Sequence, residues 1–270
     1  MDALKNTILS IAIIGAVAFS SNPVNATIVQ FETSLGNFEV NLYDEETPQT
    51  VANFLDYVNS GAYENVIIHR SVPGFVIQGG GFKYNSEWPV TAVPADSPVN
   101  NEPVYSNVKG SIAMAKVAGQ ADSATNQWFF NLIDNSTTGA ALDIQNSGFT
   151  VFGETTNDGI AILEQIAALP RYDFSGTISA LGELPLQNFD EGQTPDDTQL
   201  IIIQRISIID AAIDTAAGLN PVRNTSLKVD APSAESSGGG VFGTSILSLI
   251  GLWSLVLTKR KRLDRSGNLK

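Results

Sequence analysis

The stretch IIHRSVPGFVIQGGGF, residues 67–82, contains the chain's single histidine, His69, beside Arg70 in otherwise apolar sequence. An arginine stays charged at any physiological pH, and its planar fork donates hydrogen bonds in a fixed direction. Beside an apolar wall of low dielectric constant, each donated bond is stronger than in water. A cation in a run suited to burial is therefore the first candidate for chemistry in this chain.

The remaining reactive residues exclude several classes of enzyme. With one histidine, no cysteine and no G-x-S-x-G turn, the chain lacks the residues of the usual nucleophilic triads, of thiol catalysis and of zinc–thiolate sites. The triplet Gly79-Gly80-Gly81 lacks the further residues of a phosphate-binding loop. Two carboxylates for glycoside chemistry stay an open alternative, because they need only spatial proximity, but no motif points to them.

Two further features have a structural interpretation. One acidic group could collect calcium, but its spacing does not match an EF-hand loop, so a solvated acidic loop is favoured; it comprises Asp190, Glu191, Asp196 and Asp197. His69 alternates with Arg70 along a strand, so its ring is expected on the opposite face, where it serves structure rather than catalysis. We therefore expect no metal and no cofactor.

Several ordered blocks resemble one family. The run IHRSVPGFVIQGG, residues 68–80, is followed by GSIAMA at 110–115, NQWFF at 126–130 and VFG at 151–153. Together these blocks resemble the cyclophilins, the peptidyl-prolyl cis/trans isomerases, and specifically their exported bacterial branch. The resemblance covers roughly residues 27–210. It implies a mainly β fold, an eight-stranded closed antiparallel β-barrel capped by two α-helices, with a proline-binding groove on its outer face.

The resemblance also implies a role for each matching residue. Arg70 is the expected catalytic arginine, and Gln78 is expected to hold its guanidinium or a bound water in place. The expected substrate is a proline-containing segment of an unfolded or exported protein. The residues expected to bind it are Phe75, Val76, Ala115, Lys116, Gln127, Phe129, Leu142 and Phe149.

Departures from the family pattern leave alternatives open. Ala141 stands where many cyclophilins have a tryptophan, and Phe149 replaces a histidine or tyrosine. Loss of an aromatic wall should weaken binding of the inhibitor cyclosporin. Lys116 is expected to add a positive charge at the groove rim. A peptide-binding chaperone module with little turnover is the alternative to an active isomerase, and an anchored surface adhesin is a third hypothesis.

Short periodic segments must position these residues. Alternation in TIVQFETSLGNFEVNLY, residues 27–43, predicts a hairpin, and Thr47-Pro48 opens a helix that Gly61 ends. Further strands are predicted near 66–68, 75–78, 110–115, 127–132, 149–153 and 200–209, with a second helix over 158–169. Residues 83–107 and 171–198 lack clear periodicity, and the second is interpreted as an inserted loop.

The two ends of the chain have the sequence features of a targeting signal and a membrane anchor. Residues 1–26 have the apolar run and small-residue ending of a signal peptide cut after Ala26. A flexible stalk over 211–240 leads to an apolar transmembrane segment, 241–258, and a basic cytoplasmic tail, 259–270. Gly238-Gly239-Gly240 with this segment resembles the GlyGly-CTERM sorting signal, which implies processing by a rhombosortase-type protease. We expect an exported protein, periplasmic or at the cell surface, at least transiently anchored to the inner membrane.

The charge of the body agrees with an exported, solvated domain. The whole chain carries a net charge of −13, and residues 27–240 hold 26 of its 28 acidic residues but 8 of its 15 basic ones. Such a surface repels phosphate backbones, so nucleic acid is not expected as a partner. Without cysteine the exported domain has no disulfides, and its stability must come from the burial of a core.

Overall fold

The computed structural model describes residues 27–211 and 219–227. These residues are mainly β, with two α-helices, α1 (Pro48–Asn59) and α2 (Asn157–Ala168). Two short 3-10 helices cover Gln145–Ser147 and Ser179–Leu181. The strands are, in chain order, β1 (Ile28–Thr33), β2 (Gly36–Leu42), β3 (Val66–Ile67), β4 (Arg70–Val72), β5 (Val76–Gly79), β6 (Phe82–Lys83), β7 (Thr91–Ala92), β8 (Ser111–Met114), β9 (Trp128–Asn131), β10 (Val151–Thr155), β11 (Arg171–Tyr172), β12 (Leu184–Pro185) and β13 (Ile202–Asp210).

The predicted hairpin and both predicted helices are present. β1 and β2 pair antiparallel, and their alternate residues are buried because successive side chains of a strand point to opposite faces. Pro48 begins α1, where its missing N–H costs nothing, and the helix buries Val51 and Phe54. α2 turns Leu163 and Ile166 into the same core, as its apolar spacing predicts.

Eleven of the thirteen described strands form one curled antiparallel sheet, in the order β4-β5-β9-β8-β10-β2-β1-β13-β3-β6-β7. β3 pairs with β13 and β4 pairs with β5, although β3 and β4 are separated by only two residues. At this break the backbone N–H of Ile68 donates to Ile201, 2.9 Å away, and that of His69 donates to Gln78 at 3.1 Å. One extended segment thus divides into two strands with different partners. The strands form an open sheet with β4 and β7 at its two edges, so the predicted closed eight-stranded barrel is not confirmed.

Among the described residues, buried apolar side chains form three clusters. The first lies inside the curled sheet under α1 and α2 and includes Phe31, Trp128 and Phe130. The second lies on the other face of the central strands; we call it the pocket cluster, and it comprises Tyr43, Val76, Tyr105, Ala113, Phe129, Leu142, Phe149 and Val151. The third joins β3 and β6 to residues of the insertion 171–198.

The insertion 171–198 is ordered rather than structureless. β11 pairs with β12, and Leu181, Leu184 and Leu186 are completely buried. The ring of Phe174 packs edge-on against Trp88, from the other long loop, with 5.1 Å between ring centroids. The alternation of apolar and polar residues does not predict this unit, because its apolar side chains are buried against residues distant in sequence and not on a regular sheet face.

The described end of the predicted stalk also packs on the domain. Tyr105 and Arg223 form an antiparallel bridge, and the guanidinium of Arg223 lies 5.6 Å from the centre of the Tyr105 ring. The side-chain amide of Asn224 donates to the carbonyl of Asp143 at 2.9 Å. Residues 219–227 therefore depart from the flexible stalk predicted over 211–240.

The membrane and targeting predictions fall on other residues. Among the residues that the structure describes, neither α-helix nor any other helix is long and apolar enough to cross a bilayer. The predicted signal peptide, 1–26, the transmembrane segment, 241–258, and the basic tail, 259–270, lie outside the described residues.

Candidate active site

Arg70 stands in a row of residues that runs across four strands. It pairs with Gln78 on β5, Gln78 pairs with Phe129 on β9, and Phe129 pairs with Ala113 on β8. Directly paired residues share one face of a sheet, so this row lies on the face opposite the core. Phe130, the next residue along β9, points to the other face and is buried in the core. Apolar side chains on both faces of these strands are therefore buried, each face in its own cluster.

The pocket cluster unites most of the predicted substrate-binding residues. Val76, Phe129, Leu142 and Phe149 belong to it, and Phe75 and Ala115 are partly buried against it, as Ala140 is. The rings of Phe129 and Phe149 meet edge to face with centroids 5.7 Å apart. Phe129 and Phe149 are each 2% exposed and Leu142 is fully buried, whereas Phe75, Gln78 and Gln127 are half-exposed.

Arg70 is held by a carboxylate that sequence reasoning missed. Its Nε donates to Oε2 of Glu183, 2.7 Å away, and Glu183 belongs to the insertion 171–198. The arginine is 8% exposed, and neither Nη1 nor Nη2 has a hydrogen-bond partner among the described residues. Buried donors without acceptors are costly, and in native structures each one calls for a partner or a function, such as a ligand, an ion, a water or a catalytic role.

Gln78 bonds to another glutamine and not directly to the guanidinium, which is one of the two partners predicted for it. Its Nε2 donates to Oε1 of Gln127 at 2.9 Å, and in the described part of the chain neither Nη of Arg70 bonds to it. Gln127 is the predicted substrate-binding glutamine, and its backbone oxygen accepts from the N–H of Ala115 at 2.9 Å. The two glutamines therefore form one polar rim between Arg70 and Ala115.

The glycine triplet at 79–81 makes room for this rim. A Cβ at Gly80 would lie 2.4 Å from the backbone oxygen of Asn126, and the residue has φ +81°, which favours glycine. A Cβ at Gly81 would lie 2.9 Å from the side chain of Gln127. The triplet thus allows β5 and the chain after it to approach the segment that carries Gln127.

Lys116 is buried, which corrects its predicted place at the groove rim. Its Nζ donates to the carbonyls of Asn146 and Gly148, at 2.8 and 2.6 Å, and lies 4.9 Å from the centre of the Phe149 ring. Burial lowers the pKa of Lys116 to about 8, although the charge of Asp122 opposes this effect. The ammonium thus fastens residues 141–149, which we call the wall loop, instead of facing a substrate.

A network of amides anchors the wall loop from the other side. The carboxylate of Asp143 accepts from the backbone and side-chain nitrogens of Asn107, at 2.7 and 3.0 Å. The backbone of Leu142 donates to Asn135, whose side-chain amide in turn donates to the carbonyl of Phe75 at 3.0 Å. The floor and the rim of the pocket are therefore joined by hydrogen bonds as well as by apolar contact.

His69 has the structural environment that the sequence predicts. It is 1% exposed, and its ring meets Phe82 edge-on at 5.2 Å. Burial, with a smaller effect of the Arg70 charge, lowers the pKa of His69 to about 3. The imidazole is therefore neutral at physiological pH and lies outside the pocket cluster.

Comparisons with known proteins agree with this geometry. The family described as cyclophilin type peptidyl-prolyl cis-trans isomerase/CLD matches residues 28–180. The peptidyl-prolyl cis-trans isomerase of Acinetobacter baylyi is 35% identical over 58% of this chain and 81% of its own length. Peptidyl-prolyl cis-trans isomerase A of Dickeya dadantii is 37% identical over 58% of this chain and 80% of its own length. Peptidyl-prolyl cis-trans isomerase B of Escherichia coli is 37% identical over 52% and 83%.

The crystal structure of a cyclophilin type peptidyl-prolyl cis-trans isomerase from Cryptosporidium parvum, determined in the presence of the dipeptide Ala-Pro, aligns with a TM-score of 0.46. It is 22% identical and covers 68% of this chain and 99% of that one. On the family match over more than half of its length and on its bacterial relatives, this chain belongs to the cyclophilin family of peptidyl-prolyl cis-trans isomerases.

Proposed function

We propose that this isomerase turns X-Pro bonds of exported proteins, and that Arg70 stabilises the twisted imide. The planar amide resists rotation with a barrier of roughly 20 kcal/mol because its nitrogen lone pair is conjugated. Twisting the bond pyramidalises the prolyl nitrogen and returns the lone pair to it. A donor that bonds this nitrogen and a neighbouring carbonyl more strongly in the twisted state than in either planar state lowers the barrier without a covalent step.

The unpaired Nη donors of Arg70 carry this proposal. Among the described residues both nitrogens are buried and lack an acceptor, while Nε is already bonded to Glu183. A bound peptide can supply the missing acceptors through its prolyl nitrogen and a backbone carbonyl. Because the donors are fixed in one plane before the substrate arrives, little reorganisation is needed when the bond turns.

The pocket cluster supplies the second requirement, a site that holds the proline ring while the rest of the peptide rotates. Phe129, Leu142 and Phe149 form an apolar floor, and the half-exposed Phe75 lies at its edge. A five-membered apolar ring gains free energy from such burial, at about 25 cal/mol per Å². The two glutamines of the rim offer amide groups to the peptide backbone.

The test is a comparison of Arg70→Ala with the wild type on a proline-containing peptide, by protease-coupled or NMR exchange kinetics. We expect kcat/KM to fall by about 100-fold or more, the usual cost of removing one transition-state donor. Arg205→Ala is the matched control, because Arg205 also pairs with a glutamate, Glu32, but has a side chain that is 59% exposed. It should change kcat/KM by less than about twofold.

The same assay separates the isomerase from a peptide-binding chaperone with little turnover. If wild type and Arg70→Ala both run at background rate while the wild type still binds the peptide, the arginine mechanism fails and the binding module remains. If both variants are equally active, catalysis does not depend on Arg70.

We further propose export, followed by anchoring through the C-terminal segment and processing by a rhombosortase-type protease. The apolar segments of the sequence support this, and so does one contact: the backbone nitrogen of Thr27 lies 2.8 Å from Oδ2 of Asp44. Cleavage after Ala26 would turn this nitrogen into an α-ammonium beside a carboxylate. Mass spectrometry of the mature termini tests the proposal, and a mature chain that still carries residues 1–26 would contradict it.

A further inference from the structure

The insertion 171–198 delivers one carboxylate to the arginine of the site. The backbone N–H of Ser71, next to Arg70, donates to the carbonyl of Glu183 at 2.9 Å. This bond aligns the insertion with the free edge of β4, and it fixes the Cα of Glu183 beside Arg70. The carboxylate then accepts from Nε at 2.7 Å, while its side chain remains 37% exposed.

The insertion is a firm support for this carboxylate. Leu181 and Leu184, on either side of Glu183, are fully buried in the third apolar cluster. The backbone of Leu186 donates to Pro170 at 3.1 Å, next to the pairing of β11 with β12. Because both flanks of Glu183 are packed, its backbone is held in one position relative to β4.

The contact has a definite consequence for the guanidinium. An arginine side chain has several rotatable bonds, so ordering it costs up to about 2 kcal/mol in lost conformational entropy. A charged acceptor at Nε fixes the plane of the fork before the substrate binds, and it leaves the Nη donors unused. A positioned donor contributes more to catalysis than a mobile one, and a displacement of about 1 Å can cost up to 100-fold in rate.

We infer that Glu183 is a positioning residue for the isomerase: it holds Arg70 by Nε so that both Nη groups are presented to the X-Pro bond. The inference rests on the proposed role of Arg70. An opposing effect exists, because a carboxylate beside the guanidinium reduces the positive field that the substrate meets. If that effect were the larger one, Glu183 would slow the reaction. Removing its carboxylate would then raise kcat, whereas loss of a positioning residue lowers it.

Three variants test the inference in the full domain. Glu183→Ala should lower kcat about tenfold with KM changed by less than about twofold, because the ordering of Arg70 matters most in the twisted state. Glu183→Gln should lose less, roughly threefold, since its amide oxygen still accepts from Nε. Glu191→Ala, which removes an exposed carboxylate of the same insertion, should behave as the wild type.

A spectroscopic readout distinguishes positioning from a structural role. The Nε–Hε resonance of Arg70, assigned with Arg70→Lys, should shift and broaden in Glu183→Ala, while the thermal midpoint moves little. A kcat of Glu183→Ala equal to or above that of the wild type, or an unmoved Nε–Hε resonance, would overturn the inference. Arg70→Ala in the same series keeps the two proposals apart: if it loses activity while Glu183→Ala does not, the role of Glu183 fails alone, and if it retains full activity the role of Arg70 fails as well.

Discussion

Replacing Lys116 with methionine removes the ammonium that fastens the wall loop. Methionine keeps the apolar stem and its volume, so the main losses are polar: the hydrogen bonds to the carbonyls of Asn146 and Gly148 and the contact with the Phe149 ring. Gly148 retains a second donor, the side-chain amide of Asn101 at 2.9 Å. The carbonyl of Asn146 loses its ammonium partner.

The expected magnitude follows from opposing terms. Hydrogen bonds from a charged donor contribute about 1.5–3 kcal/mol each, and the contact with an aromatic ring adds about 1 kcal/mol. Burial of the charge works against them: the pKa of Lys116 falls from its ordinary 10.5 to about 8, which corresponds to roughly 3 kcal/mol. We therefore expect Lys116→Met to lower the free energy of unfolding at pH 7 by about 2 kcal/mol, or about 4–8 °C in Tm for a domain of this size.

The pH dependence provides a second, independent sign. The pKa of Lys116 is lower in the folded chain than in the unfolded chain, so between about 8 and 10.5 the unfolded state binds more protons. Stability contributed by this group therefore rises with pH across that window. The free-energy difference between wild type and Lys116→Met should grow from pH 8 to pH 10.5 and stay constant below pH 7.

Urea unfolding followed by the fluorescence of the buried Trp128 measures both quantities. Lys109→Met is the control, since the side chain of Lys109 is 46% exposed in its ion pair with Glu164. It should change stability by less than about 0.5 kcal/mol. If Lys116→Met were as stable as the wild type at pH 7 and showed the same pH slope, the wall loop would not depend on this ammonium.

Two further predictions concern stability and maturation. Gly80→Ala should destabilise the domain by about 3 kcal/mol or more in urea unfolding, because its Cβ would lie 2.4 Å from a backbone oxygen. Gly74→Ala should cost only about 1 kcal/mol, since it has φ +71° but nothing within 4 Å among the described residues. Asp44→Asn should destabilise a chain that begins at Thr27 by about 1 kcal/mol more than a chain that retains residue 26. Equal losses in the two chains, compared by thermal unfolding at pH 6, would show that no terminal ion pair forms.

For the strands that the sequence predicts, the sheet face on which each side chain lies could be predicted as well, because alternation is a local property. Trp128 and Phe129 are adjacent, yet the first enters the core and the second the pocket cluster, as their neighbours in the motif indicate. The same rule separates His69 from Arg70. The family motifs then imply a role in the site for the residues on the face opposite the core, and most of these residues lie together in the structure.

The same rule could not predict that the insertion 171–198 is folded and packed against the domain. Its apolar residues are buried against Phe82 and Val90, about a hundred residues earlier in the chain, and no local period records such a partner. The acceptor that Arg70 bonds through Nε could not be predicted either, because it is 113 residues away, whereas Gln78 is the direct neighbour of Arg70 across the strands.

By itself, the sequence determined the mainly β class, the two helices, the family and the set of residues that share the outer face, because these depend on local periodicity and on short motifs. Only the tertiary structure decided which charges are used inside the protein. Lys116 bonds to carbonyls 30 and 32 residues away, and Arg70 bonds to a carboxylate of the insertion. Whether a charged side chain is buried depends on the acceptors that the folded chain brings to it, since an unpaired charge is too costly to remove from water.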